Sequence, residues 1–319
     1  AGLLNPLVRG NSQNVSQENN NLFNTFKLEK IAKLFDQRMN RARRTLGLSS
    51  QPPGALLRPS RWLQIFLTTH ELEFLQEDLG PTAVFVGPSW KGRNETVAQK
   101  DFPWDWVLEG PPIVYVSLGN FFNRRPDFFS RMIKALGGYY LRVVISTPLA
   151  GSRRFRHLPS NIRFFHKVPQ LSLLPKVSLF LFHGGNNSMN EAMAAGAPML
   201  ITPIGGEQIY NAERAYRLGV GLYTDVDHTS PDELRRMTFQ IIRDDSFKTS
   251  ADRARRMLSR CDAPGITATL IQRILATGKP IQRPASERPT LYCDSPLPDW
   301  ASFFPGSSPL DIGHYTEYT

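Results

Sequence analysis

The sequence predicts an α/β protein built on a doubly wound parallel sheet, and three observations carry that reading. Short apolar runs alternate with helical patterns from Ile113 to Gly219, joined by brief loops. One run, Leu179-Phe180-Leu181-Phe182, is continuously apolar, as a central strand covered on both faces must be. His183-Gly184-Gly185 closes that run just where a strand should hand over to a helix, the position at which open parallel sheets bind ligands.

Composition narrows the classes. A chain of 319 residues can form two domains, each with its own core. No apolar run reaches the ~18 residues of a membrane helix, no signal-peptide pattern opens the chain, and membrane association is not indicated. The net charge of +10 suggests an anionic partner: nucleic acid, a nucleoside diphosphate or an acidic lipid surface. The basic residues are scattered over helix faces, as at Arg153-Arg154 and Arg235-Arg236, without zinc-finger spacing or an RNA-binding aromatic signature, so nucleic acid is not expected. Two cysteines, Cys261 and Cys293, make no metal site alone, and their scarcity favours a reducing, cytoplasmic setting despite sequons at Asn14 and Asn94.

The elements follow in order. Residues 1 to about 24, rich in Asn, Gln and Ser, read as loop. Leu28, Ile31, Ala32, Phe35, Met39, Ala42 and Leu46 share one helical face, which Gly47 ends. Trp62–Thr69 and Thr82–Pro88 read as buried strands, and Ser89–Pro112 as an interdomain linker. Strands are then expected at 113–120, 139–147, 161–168, 177–182 and 198–203, with helices at 126–136, 188–195 and 210–219. Three more helices follow at 231–244, about 246–260 and 266–278, before a tail full of Pro, Ser and aromatics.

The residues between His183 and Gln208 suit an anionic ligand. A helix starting near Ser188 would turn its free N–H groups and positive dipole end toward the His183 loop. Glycine lets a phosphate approach the backbone, and His183 can donate to a phosphate oxygen. Ser188-Met189-Asn190-Glu191 also fits a capping box, in which Ser188 and Glu191 do no more than cap the helix. Ser117, Gly119 and Asn120 close the first strand of this half and face the same crevice in a doubly wound sheet. Glu207 and Gln208 add a carboxylate and an amide, groups that hydroxyl-rich ligands require.

Residues from about Trp62 to Gly278 resemble family 1 nucleotide-sugar-dependent glycosyltransferases of GT-B fold, closest to the macrolide and natural-product branch. The resemblance rests on FVGP (85–88), VYVSLGN (114–120), the block from Val168 to Met199 with its HGG-NNS-NEAMAAGAPM run, and the block from Pro203 to Gly221. It implies one complete Rossmann-like domain at 110–280, a partial N-terminal acceptor-side domain with linker at 1–109, and a Pro-rich tail at 281–319 that packs back on the N-terminal domain. It implies that His183, Gly185, Asn187 and Ser188, helped by Ser117 and Asn120, hold the donor diphosphate. Glu191 would bind ribose, Val168 and Gln170 would meet the base, and Glu207 and Gln208 the sugar. The implied reaction is hexosyl transfer with inversion from a UDP- or dTDP-sugar to a hydroxyl of a small apolar acceptor, with no metal and no cofactor beyond that co-substrate.

The chain departs from the family pattern in several places. Lys167 stands where plant relatives place a base-stacking Trp, Glu207 replaces the usual Asp, and Asn120 replaces Ser or Thr. No Gly-His loop follows a strand near the start, so the family's general base has no counterpart and the catalytic residue is left unknown. His70 follows a strand at an ordinary polar position, and Gly313-His314 lies in the tail; neither is assigned. The alternative expectation is a donor-binding subunit or fragment that a second chain or segment completes.

Overall fold

The computed structural model describes residues 33–53, 60–69, 72–73, 80–89, 102–120, 123–205 and 207–282. The chain divides into two compact units, residues 1–59 with 299–319, and residues 60–298. In the first, residues 33–45 are helical. Gly47, at φ +70°, ends this helix in the left-handed turn that glycine adopts most easily, and the Leu48 amide reaches back to the Arg43 carbonyl at 2.8 Å. Leu28, Ile31 and Ala32 of the expected helical face lie outside the described residues, as do Asn14, Asn94, His70, Cys293, half of the expected linker and the tail beyond 282.

The second unit opens with two three-residue strands, β1 (Gln64–Phe66) and β2 (Ala83–Phe85), paired in parallel. Both are shorter than the runs expected from the sequence. Then come α1 (Trp104–Leu108), β3 (Ile113–Ser117), α2 (Pro126–Leu136), β4 (Arg142–Ser146), β5 (Ile162–Phe165) and α3 (Gln170–Leu173). The unit continues with β6 (Leu179–Phe182), α4 (Asn186–Ala195), β7 (Met199–Ile201), α5 (Gln208–Arg217) and β8 (Gly221–Tyr223). It closes with α6 (Pro231–Arg243), α7 (Asp245–Leu258) and α8 (Ala263–Thr277).

Six strands form one parallel sheet in the order β5-β4-β3-β6-β7-β8. Counted from β3, this is the 3-2-1-4-5-6 order of mononucleotide-binding halves, with the reversal between β3 and β6. The expected α/β class and parallel sheet are therefore borne out. Alternation along the strands divides the core in two. Ile113, Tyr115, Phe180, Phe182 and Met199 face α4, α5 and α7, where they meet Met189, Met193, Ala212 and Ala251. Val114, Val116, Leu179, Leu181 and Leu200 face α2 and α6, against Phe128, Phe129, Met132, Leu234 and Met237. Burying such side chains on both faces, at roughly 1.5–3 kcal/mol each, is why β6 carries no polar residue.

The helix α2 shows how closely local signals set an element. Pro126 occupies its first turn beside Asp127, Lys134 lies in its last, and Gly137 follows its end, so the observed span equals the expected one. Three elements depart from expectation. The short α1 falls inside the segment read as linker, and α3 and β8 stand where no element was expected. Gly221 explains β8: a Cβ there would sit 2.2 Å from the Met199 carbonyl, so the backbones of β7 and β8 meet closely where glycine stands. Beyond the main sheet, α8 covers β1 and β2 through Leu270 and Ile274 against Val84, Val86, Leu63 and Ile65.

Candidate functional site

Because β3 and β6 are neighbours at the reversal, their carboxyl ends leave a crevice with a loop on each side. The register pairs Ser117 with Phe182, so the Leu118–Asn120 loop and the His183–Gly185 loop leave the sheet at the same level. The His183 ring lies between their glycines. A Cβ on Gly119 would stand 2.6 Å from Cε1 and 2.7 Å from Nε2, and a Cβ on Gly185 would stand 2.6 Å from Nε2. Gly119 has a second reason to be glycine, its φ of +72°, whereas Gly185 at φ −61° is required only for space. The glycines expected to admit a phosphate thus also hold the imidazole.

Burial holds the His183 pKa below the ordinary histidine value of 6.5; the Ser117 backbone and the nearby Glu207 carboxylate only partly oppose it. The ring is therefore neutral at pH 7. Its Nδ1 is buried and meets no hydrogen-bond partner. The loop is tied from behind by Asn211 of α5, whose Nδ2 donates to the Gly184 carbonyl at 2.8 Å.

Helix α4 starts three residues earlier than the capping-box reading required. Gly185 is its N-cap, and no side chain caps it. Ser188 is therefore the third helical residue and Glu191 lies inside the helix, which overturns the reading of these two as a cap. The consequence is chemical: the first-turn amides of Asn186, Asn187 and Ser188 keep their dipole end beside His183 without a side-chain cap.

Beneath this end runs a chain of polar side chains. The Tyr115 hydroxyl donates to Gln170 Oε1 at 2.9 Å, and Gln170 Nε2 donates to Glu191 Oε2 at 2.6 Å and to Ser188 Oγ at 3.4 Å. Glu191 is only 5% exposed. Gln170, first residue of α3, thus aligns the carboxylate expected to meet ribose, and half-buried Val168 precedes it in the loop from β5. Gln208 is buried, with its Oε1 accepting from the Ile204 amide at 2.8 Å and the Gly205 amide at 3.3 Å. Its amide oxygen holds the loop. Glu207, Asn120, Asn187 and Lys167 are exposed.

The sequence alone did not bring forward Tyr115, Asn211, Glu73 or Arg214. The first lies on a strand read only as apolar, and the two α5 residues within a helix read only as amphipathic. The one available signal was that Asn211 and Arg214 stand three apart on the helix that begins at Gln208, and so share a face.

The fold and this crevice define the chain's class as GT-B. Residues 130–272 match the family model of the Erythromycin biosynthesis protein CIII-like C-terminal domain. Over 190 residues the chain is 28% identical to a protein of Bacillus subtilis strain 168 named as an uncharacterized UDP-glucosyltransferase, covering 59% of this chain and 46% of that one. Over 249 residues it is 28% identical to oleandomycin glycosyltransferase of Streptomyces antibioticus, covering 76% and 54%. The solved structure of the kitacinnamycin glycosyltransferase superposes with a TM-score of 0.62 over 81% of this chain and 67% of that one, at 21% identity, a likeness of fold. Over these residues the chain is similar to family 1 natural-product glycosyltransferases, and it spans about half the length of the curated relatives it matches.

Proposed function

We propose that this chain binds a UDP- or dTDP-linked sugar in the crevice between β3 and β6 and serves its transfer to a hydroxyl of a small apolar acceptor. The observation that carries the reading is the His183 ring, clamped between two glycine loops beside a helix end that no side chain caps. In the reaction the acceptor oxygen bonds to the anomeric carbon while the bond from that carbon to the diphosphate oxygen breaks, which inverts the centre. The acceptor's proton passes to a base for which no residue here is assigned. Negative charge develops on the departing diphosphate, and the α4 amides with the dipole behind them stabilise it, aided by a donated hydrogen bond from His183. Gly185, Asn187 and Ser188 would line this diphosphate site, with Ser117 and Asn120 opposite. Glu191, aligned by Gln170, would take ribose; Val168 would meet the base; Glu207 and Gln208 would take the hexose hydroxyls.

The test is calorimetric titration of the chain and of His183→Ala with UDP, dTDP and GDP. Loss of a hydrogen bond to a charged group weakens UDP or dTDP binding about 10- to 100-fold. Undiminished affinity in the variant removes the reading. A second reading has support from one observation, that no Gly-His pair stands in the first hundred residues of the sequence. In it the chain is the donor-binding part of a cytoplasmic enzyme whose base comes from another segment or a second chain. Binding without transfer by the isolated chain would favour it.

A further inference from the structure

One buried charge pair lies outside the diphosphate site. Arg214 on α5 is 2% exposed, and its guanidinium is ion-paired with Glu73, from the segment between β1 and β2. Two hydroxyls hold the carboxylate. The Tyr210 hydroxyl donates to Glu73 Oε2 at 2.7 Å, and the Thr68 hydroxyl donates to Glu73 Oε1 at 3.3 Å. The guanidinium carbon lies 5.9 Å from the Tyr210 ring centre, and Arg214 also reaches Met189 Sδ at 3.3 Å. Burial lowers the Arg214 pKa to about 10, which leaves it charged at neutral pH.

The position of this pair matters more than its strength. Met189 lies in the first turns of α4, directly after the residues beside His183. Asn211, three residues before Arg214, fastens the Gly184 carbonyl. Next along α4, Asn190 donates to the Leu67 carbonyl at 3.3 Å. Arg214 therefore touches both the helix that starts at the crevice and the segment that leads from β1. A buried ion pair is a weak source of net stability, since desolvation offsets most of its attraction, so stability alone does not account for this one. An apolar contact would have held the same surfaces together without fixing their register.

We propose that Arg214 and Glu73 are positioning residues, a latch that fixes Leu67, Thr68 and Glu73 against α4 and α5 and thereby holds the His183–Ser188 cradle in its binding geometry. The inference deepens the nucleotide-sugar reading and rests on it for the effect on donor, although its geometry stands without it.

The experiment replaces the pair by apolar residues of similar size, Glu73→Leu with Arg214→Met, so that no charge is left buried alone. Three quantities are measured on the full chain: the melting temperature, amide hydrogen exchange at residues 183–189, and UDP affinity. A latch predicts a melting temperature close to that of the unaltered chain, exchange at 183–189 at least ten times faster, and UDP binding at least ten times weaker. A merely structural pair predicts that exchange returns to the original rate along with the melting temperature, and this result overturns the proposal. If the double variant does not fold, Tyr210→Phe keeps the ring and removes only the hydroxyl on Glu73. It is expected to speed the same exchange severalfold, and unchanged protection overturns the proposal equally. If the unaltered chain binds no UDP, the nucleotide-sugar reading fails while the exchange rates still decide the latch.

Discussion

Gly119→Ala tests the cradle around His183 most directly, because the structure separates its two effects. The first is backbone strain. At φ +72° an L side chain adopts the left-handed region at a cost of about 1–2 kcal/mol. The second is crowding, since the new Cβ would lie 2.6 Å from His183 Cε1 and must drive the ring away. Overpacking of this kind costs about 1–3 kcal/mol. The sum is about 2–5 kcal/mol, which lowers the melting temperature by roughly 5–15 °C in a domain of this size. Gly185→Ala crowds the same ring at 2.6 Å from Nε2, but its φ of −61° is ordinary, so only the crowding, about 1–3 kcal/mol, is expected. Removing the ring should relieve crowding and leave strain. In a thermal or urea unfolding cycle, Gly119→Ala combined with His183→Ala is therefore expected to be less destabilised than the sum of the two, by about 1–3 kcal/mol. Strict additivity would refute the argument that the glycine exists for the ring.

Two further predictions bear on the electrostatics and the polar floor of the site. His183 has a folded-state pKa below the unfolded 6.5, so the unfolded chain binds the extra proton first. Its contribution to stability is complete above the unfolded value and is lost as pH falls from there toward the depressed one. Urea unfolding of the unaltered chain and of His183→Gln should differ in pH slope just below neutrality, and identical slopes would show that the ring is not held neutral. Gln170→Leu takes away the acceptor of the Tyr115 hydroxyl and a donor to Glu191, at an expected cost of about 1–3 kcal/mol in urea unfolding. UDP affinity should drop with it, and a variant as stable as the original would mean that the chain of hydrogen bonds from Tyr115 to Glu191 is unimportant.

Elements with strong local signals were legible from the residues. The span of α2 follows from Pro126 at its start, Gly137 after its end and five core-facing residues between. The continuous apolar run of β6 marked a central strand, and the His183–Gly185 turn marked its carboxyl end. Short elements such as α1 and β8 were not legible, because five and three residues carry too little periodicity to register. The helix start at Asn186 was misread for a related reason. Ser188 and Glu191 have the spacing of a cap, but Gly185 already ends the turn from β6, and Glu191 is drawn inward to Gln170.

The sequence by itself determined the α/β class, the parallel strands and the loop that ends β6, since each depends on residues close together in the chain. Only the tertiary structure decided which distant side chains meet: Gly119 against His183, Tyr115 with Gln170 and Glu191, Asn211 behind Gly184, and Glu73 beneath Tyr210 and Arg214. Local periodicity reports which face of an element is apolar. It carries no information about which polar group on another element, tens of residues away, will satisfy a side chain once both leave water, and that pairing is fixed only when the strand order brings them together.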